Sequence, residues 1–310
     1  MAKTFYYGGQ AVIEGVMMRG RKNISMALRH PRGDVVNLVE PLSSMYTGRW
    51  RDIPLLRGVI VLIESLALGV RCLLYSANVA VDAEREEIPR STVWGMLSIA
   101  LALGIAIFFV GPLFLVQWLD QYIGSSITSN LAEGAIRLAV FILYLKAIGL
   151  MPDIQRVFAY HGAEHKVINA YESGAEMTVD SVQKYSTAHS RCGTGFLLIV
   201  LVVSIIVFMF IGRPPMLLRL LSRVALVPII AGISYELMRL GAAHIGNKVV
   251  RAILSPSLAL QAMTTRQPDS DQIEVAISAL EQVLTADDAL EKAAKEKSSE
   301  VPVGATTDTG

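Results

Sequence analysis

VWGMLSIALALGIAIFFVGPLFLVQWL, residues Val93 to Leu119, holds no charged side chain. At 1.5 Å per residue a helix of this length outruns the roughly 30 Å of hydrocarbon in a bilayer. A backbone at that depth must satisfy its own N–H and C=O groups, so the stretch is read as a membrane-spanning helix, and the fold class follows from it. The rest of the chain agrees, with a mean hydropathy of +0.47 and 53% hydrophobic residues. Gly195 to Gly212 is a second uncharged stretch. Leu131 to Met151 and Met216 to Leu240 are also long enough, although the first carries Glu133, Arg137 and Lys146 and the second Arg219, Arg223, Glu236 and Arg239. Most of these lie near the ends, where they snorkel or face the helix bundle; Glu133 and Arg137, four apart, are expected to pair.

Gly58 to Ala80 is apolar overall but repeats Arg57, Glu64, Arg71 and Asn78 every seven residues, a polar stripe on one helix face. That pattern suits an interfacial or re-entrant helix better than a span. Residues 1 to 57 carry nine Lys and Arg, whereas Asp120 to Asn130 carries none, which puts the first inside and the second outside. Four spans then place both termini in the cytoplasm of a multi-pass protein of the cell's inner (plasma) membrane. The opening residues show no cleavable signal peptide. Cys72 and Cys192 are too few for a disulfide framework, and each is expected to be a packed thiol. The net charge of +1 argues against a nucleic-acid partner.

The expected architecture is mainly α: about four spans plus one interfacial helix, with a small β-rich cytoplasmic module in residues 1–52. In that module Ile24, Met26 and Leu28 alternate, Pro31-Arg32-Gly33-Asp34 reads as a turn, and Val35 to Val39 returns. Residues 53–262 form the membrane domain, with a cytoplasmic loop at 152–194. Residues 263–310 read as a tail whose amphipathic helix, Asp271 to Lys295, precedes a disordered end from Ser298.

The loop contains His161, Glu164 and His165, an H-x-x-E-H run that on a helix sets two imidazoles and a carboxylate together. This is a candidate divalent-metal site, and two His with a carboxylate suit zinc, manganese or iron alike. Glu236, on a separate downstream helix, and His189 are the rival third ligands. Glu164 is the candidate base for water, Arg191 the candidate neutraliser of an anionic substrate group, and Glu64 a buried carboxylate in need of Arg57, Arg71 or the site itself as partner. Opposed to these stand an ion pair of Glu236 with Arg239, a plain loop histidine at 189, and a solvated acidic face for Glu172, Glu176 and Asp180.

The run Gly8 to Gly20, the segments Ala159-Tyr160-His161-Gly162-Ala163-Glu164-His165-Lys166 and Ser190-Arg191-Cys192-Gly193-Thr194, and the stretches Met263 to Arg266 and Ile273 to Ala276 resemble the YqhQ-type family of bacterial membrane proteins. The resemblance covers nearly the whole chain. It implies an integral membrane protein of unknown function, sometimes labelled a metal-dependent enzyme, and transfers no substrate. Two classes of function stay open: a metal-dependent hydrolase at the inner membrane face acting on a lipid, lipid-linked or peptide substrate, and a non-enzymatic transporter, lipid-handling or assembly factor using the same polar cluster. The bilayer is the expected partner, with a homo-oligomer open.

Overall fold

The computed structural model describes residues 6–80 and 89–299. Four strands open the chain: β1 (Gly8–Val12), β2 (Gly15–Arg19), β3 (Asn23–Arg29) and β4 (Val35–Pro41), an antiparallel meander in the order β1-β2-β3-β4. The expected hairpin closes with Arg29 opposite Val35, and Gly33 takes the positive φ of 99° that its turn needs. The Gly8 to Gly20 run forms a hairpin too. Glu14 turns it at φ 54°, and at Gly15 a Cβ would lie 2.2 Å from the Ala27 carbonyl oxygen.

Period-two alternation gives the sheet two apolar faces. Val16, Met18 and Ala27 point one way; Val12, Met17, Ile24, Met26 and Leu28 point the other. The second face packs on helix α1 (Leu56–Ala80) through Leu68 and Cys72. Glu64, Leu68, Cys72 and Ser76 of α1, spaced one turn apart, are all buried. Glu64 binds Arg19 at 2.9 Å and Arg51 at 3.1 Å, so its partners come from the β module and not from Arg57, Arg71 or the histidines. Arg71 instead pairs with Glu40. Helix α1 is long and apolar enough to cross a membrane. The seven-residue polar stripe argued against crossing; of its residues Glu64 is buried beneath the β module, whereas Arg71 and Asn78 are exposed and the sheet covers the neighbouring Leu68–Cys72 face.

Seven further helices are α2 (Ser91–Leu119), α3 (Ser126–Ile148), α4 (Pro152–Glu172), α5 (Gly193–Met209), α6 (Met216–Ala225), α7 (Val227–Ala243) and α8 (Lys248–Gln261). Helix α2 satisfies the spanning criterion of length and composition; α3 with α4, and α6 with α7, satisfy it as pairs bent by 101° and 44°. The described residues therefore hold two helices fit to cross a membrane, or four when each bent pair counts as one span. Helix α5, at 17 residues, is a shorter apolar helix. Helix α1 crosses α7 closely at Gly58, where a Cβ would sit 2.8 Å from the Gly232 Cα.

The tail helix α9 (Ser270–Ser299) lies on the first face of the sheet and on α4, not apart from them. Ile273, Val275, Leu280 and Val283 are fully buried there with Tyr160, Ala163 and Val167 of α4. Its Asp287 accepts hydrogen bonds from the Lys22 backbone N–H at 3.1 Å and the Asn23 amide at 3.0 Å, closing the β2–β3 turn. The two chain ends thus build one core around α4. Ser298 and Ser299, where a disordered end was expected to start, belong to α9, and the rest of that expected end, residues 300–310, lies outside the described residues.

Candidate metal centre

Helix α4 starts with Pro152, whose missing N–H costs nothing at a helix N-terminus. His161, Glu164 and His165 sit on it as the spacing predicted, with the two imidazole centroids 4.4 Å apart. His161 Nδ1 lies 2.8 Å from the Thr264 carbonyl oxygen and His165 Nδ1 2.5 Å from that of Thr187. A carbonyl only accepts, so each Nδ1 carries a proton, which leaves Nε2 as the ring nitrogen available to accept or to ligate. That is the orientation in which a histidine is prepared to ligate a metal.

The third group is Cys192. Its Sγ lies 3.4 Å from His161 Nε2, and the ligand atoms of His161, His165 and Cys192 all fall within 4.8 Å of one another. Tetrahedral zinc would draw such atoms to about 3.3–3.6 Å, given Zn–N and Zn–S bonds near 2.0 and 2.3 Å, so a small closure suffices. Cys192 is the N-cap of α5, and its sulfur accepts the Thr194 N–H at 3.4 Å. Expected to be a packed thiol, it is buried, but it is packed against an imidazole.

The other candidates fall differently. Glu164 is buried, with Oε2 3.5 Å from His165 Nε2; its Cγ runs beneath β1, where a Cβ on Gly9 would come within 3.0 Å of it. His189 stands beside the centre and outside the three-atom group: its ring centroid is 5.6 Å from that of His165, and its Nε2 is 3.8 Å from a Glu172 carboxylate oxygen. Gln261 fixes that loop, accepting the His189 N–H at 3.0 Å and donating to its carbonyl at 2.8 Å. Arg191 pairs with Glu172 and lies over the Tyr6 ring at 4.3 Å, so its charge is already engaged. Burial of Glu172 would raise its carboxyl, yet His189 and Arg191 outweigh this and hold it below the usual carboxylate range. The structure does not bring Glu236 to the histidines. It is bound by the Arg57 guanidinium, 2.6 Å from Nε, and by the Leu55 N–H at 3.1 Å. Glu236→Gln is accordingly expected to leave metal content unchanged and to cost at most about 1 kcal/mol, as a partly exposed pair does, checked by elemental analysis beside a thermal melt.

Gly162 lets the 264–266 turn approach α4. A Cβ there would lie 2.0 Å from the Arg266 carbonyl oxygen, and the same turn supplies the Thr264 carbonyl that orients His161. Gly162→Ala should cost about 1–3 kcal/mol in chemical denaturation and weaken metal binding with it.

A family model described as "Protein of unknown function (DUF1385)" matches residues 53–286. The chain is also 36% identical over 299 residues to "Uncharacterized protein YqhQ" of Bacillus subtilis (strain 168), covering 90% of this chain and 92% of that one. No solved structure matches it.

Proposed function

We infer a function from two premises: this chain belongs to the DUF1385 family of proteins of unknown function, and it sets two oriented imidazoles beside a thiol and a buried carboxylate. The reading is a membrane-embedded, multi-pass, metal-dependent hydrolase acting at the inner face of the membrane on a lipid-linked or peptide substrate. His161, His165 and Cys192 would hold the metal, with Cys192 in the place that Glu236 or His189 was expected to take. The observation that carries the reading is at His165. With Nδ1 committed as donor to Thr187, its Nε2 faces the Glu164 carboxylate at 3.5 Å, an arrangement that a cation or a proton between the two atoms completes.

Three protein ligands on zinc leave a coordination position for water or substrate. A bound divalent ion would supply a Lewis-acidic charge at the His161–His165–Cys192 apex. Glu164, on the helix that carries both imidazoles, is placed to take a proton from a water at its Oε2 and to return it to a leaving group. Glu164, His165 and Cys192 are buried, while His161 is half-buried and leaves the group open to substrate on its side.

Glu164→Gln keeps the size of the side chain and removes the base. It is expected to retain bound metal and to lose at least about 100-fold in turnover of whichever ester or peptide reporter the wild type hydrolyses. Equal turnover by both proteins would remove Glu164 from the chemistry. The transport or assembly reading is supported by a separate feature, the buried ionic cluster among the apolar helices.

A further inference from the structure

The C-terminal end of α2, the N-terminal end of α3, the C-terminal end of α5 and the start of α6 meet at six charged side chains: Asp120, Glu133, Arg137, Arg213, Arg219 and Arg223. Helix α5 separates them from Cys192 by roughly 25 Å of helix, so this cluster belongs to the opposite end of the molecule from the imidazoles. Glu133, Arg137, Arg219 and Arg223 are buried. Glu133 accepts from Arg137 at 2.6 Å, Arg219 at 2.9 Å and Arg223 at 2.8 Å; Asp120 lies 3.2 Å from both Arg213 and Arg219. Four guanidiniums share two carboxylates, and among the described residues no other carboxylate pairs with them.

An excess of two positive charges in a low-dielectric setting is costly unless an anion completes it. One donor is visibly incomplete: Arg213 Nε is buried without a hydrogen-bond partner, while the same guanidinium is anchored on the Ile123 and Ser125 carbonyls at 2.9 Å each. Arg213 and Asp120 are the partly exposed rim of the cluster and Arg223 its closed end, so access is from the Arg213 side. Helix α6 turns Arg219 and Arg223 inward while Leu217, Leu218 and Leu221 stay exposed on its outer face.

We propose that this cluster binds a phosphate group, bridging Arg213 and Arg219 at the end of the apolar helices. A guanidinium fork matches the oxygens of a tetrahedral oxyanion, and a singly or doubly charged phosphate answers an excess of two. The exposed leucines of α6 provide a surface for acyl chains, so the phosphate of a lipid headgroup and free phosphate present the same chemistry to the site.

The test is thermal unfolding of the detergent-solubilised full chain titrated with inorganic phosphate, and separately with phosphatidylglycerol against phosphatidylcholine in mixed micelles, each at matched ionic strength with chloride. The wild type should show a saturable rise in Tm with at least one probe. A response to phosphatidylglycerol alone identifies a lipid headgroup as the source, and a response to phosphate alone identifies the free ion. Arg213→Gln should raise the half-saturating concentration about 10-fold, the worth of one charge-assisted hydrogen bond, with Arg213→Lys as the second variant where the first fails to fold. Asp120→Asn removes a competing carboxylate and should lower it, whereas a purely structural salt bridge predicts no such tightening. No response of the wild type to either probe, or the same half-saturation in the variants as in the wild type, overturns the proposal.

Discussion

Glu133→Leu is expected to destabilise the protein by about 3–5 kcal/mol, more than any other single replacement considered for this chain. The reason is asymmetry. Glu133 is the shared acceptor for Arg137, Arg219 and Arg223, and its loss leaves three buried guanidiniums with no carboxylate of that strength between them. The surroundings are built to serve the same charges. Helix α2 passes through a π turn at Ala106–Val110 just before Pro112, which has no N–H to give to the carbonyl of Phe108; that carbonyl accepts Arg137 Nε at 2.9 Å instead. Phe208 packs its ring 4.1 Å from the Arg223 guanidinium carbon. Fluorescence-detected thermal unfolding in detergent measures the effect. A Glu133→Leu protein that melted with the wild type would mean that these arginines find other counter-charges.

Cys192→Ala and His161→Ala are each expected to lower divalent-metal affinity by roughly 100-fold or more, the largest functional effect predicted here. A site of three protein ligands loses much of its binding free energy with any one of them. Cys192→Ala should also leave the fold nearly unchanged, because the Thr194 N–H that its sulfur accepts lies in the first turn of α5, where helix N–H groups have no intrahelical partner and water can replace the thiol. A competition titration with a chromophoric chelator reads the affinity directly. Full affinity in Cys192→Ala together with a loss in His189→Ala would move the third ligand to His189.

The helix bearing His161, Glu164 and His165, the β3–β4 hairpin, the Glu133–Arg137 pair and the apolar face of α9 were legible because each rests on local periodicity or i,i+4 spacing. The parts that escaped depend on tertiary meetings. Nothing in the spacing between His161 and Cys192 brings them together; the Gln261 clamp on the His189 backbone and the Thr194–Thr264 hydroxyl contact do that. Cys192 before Gly193-Thr194, at the start of an uncharged helix, was a readable N-cap whose thiol deserved weighing as a ligand. Glu236 was open between ligation and an ion pair with Arg239, and Arg57, 179 residues away, gave no sign of being its partner. Likewise the tail looked separate, since its apolar stripe fits a free amphipathic helix as well as one docked on a sheet from the other end of the chain.

The most direct test is elemental analysis of the detergent-purified full chain, freed of any metal-binding tag, beside His161→Ala and Cys192→Ala. Near-stoichiometric zinc, manganese or iron in the wild type and its loss from both variants is the predicted result. Metal absent from the wild type even after reconstitution, or retained equally by all three proteins, would contradict a metal centre at His161, His165 and Cys192.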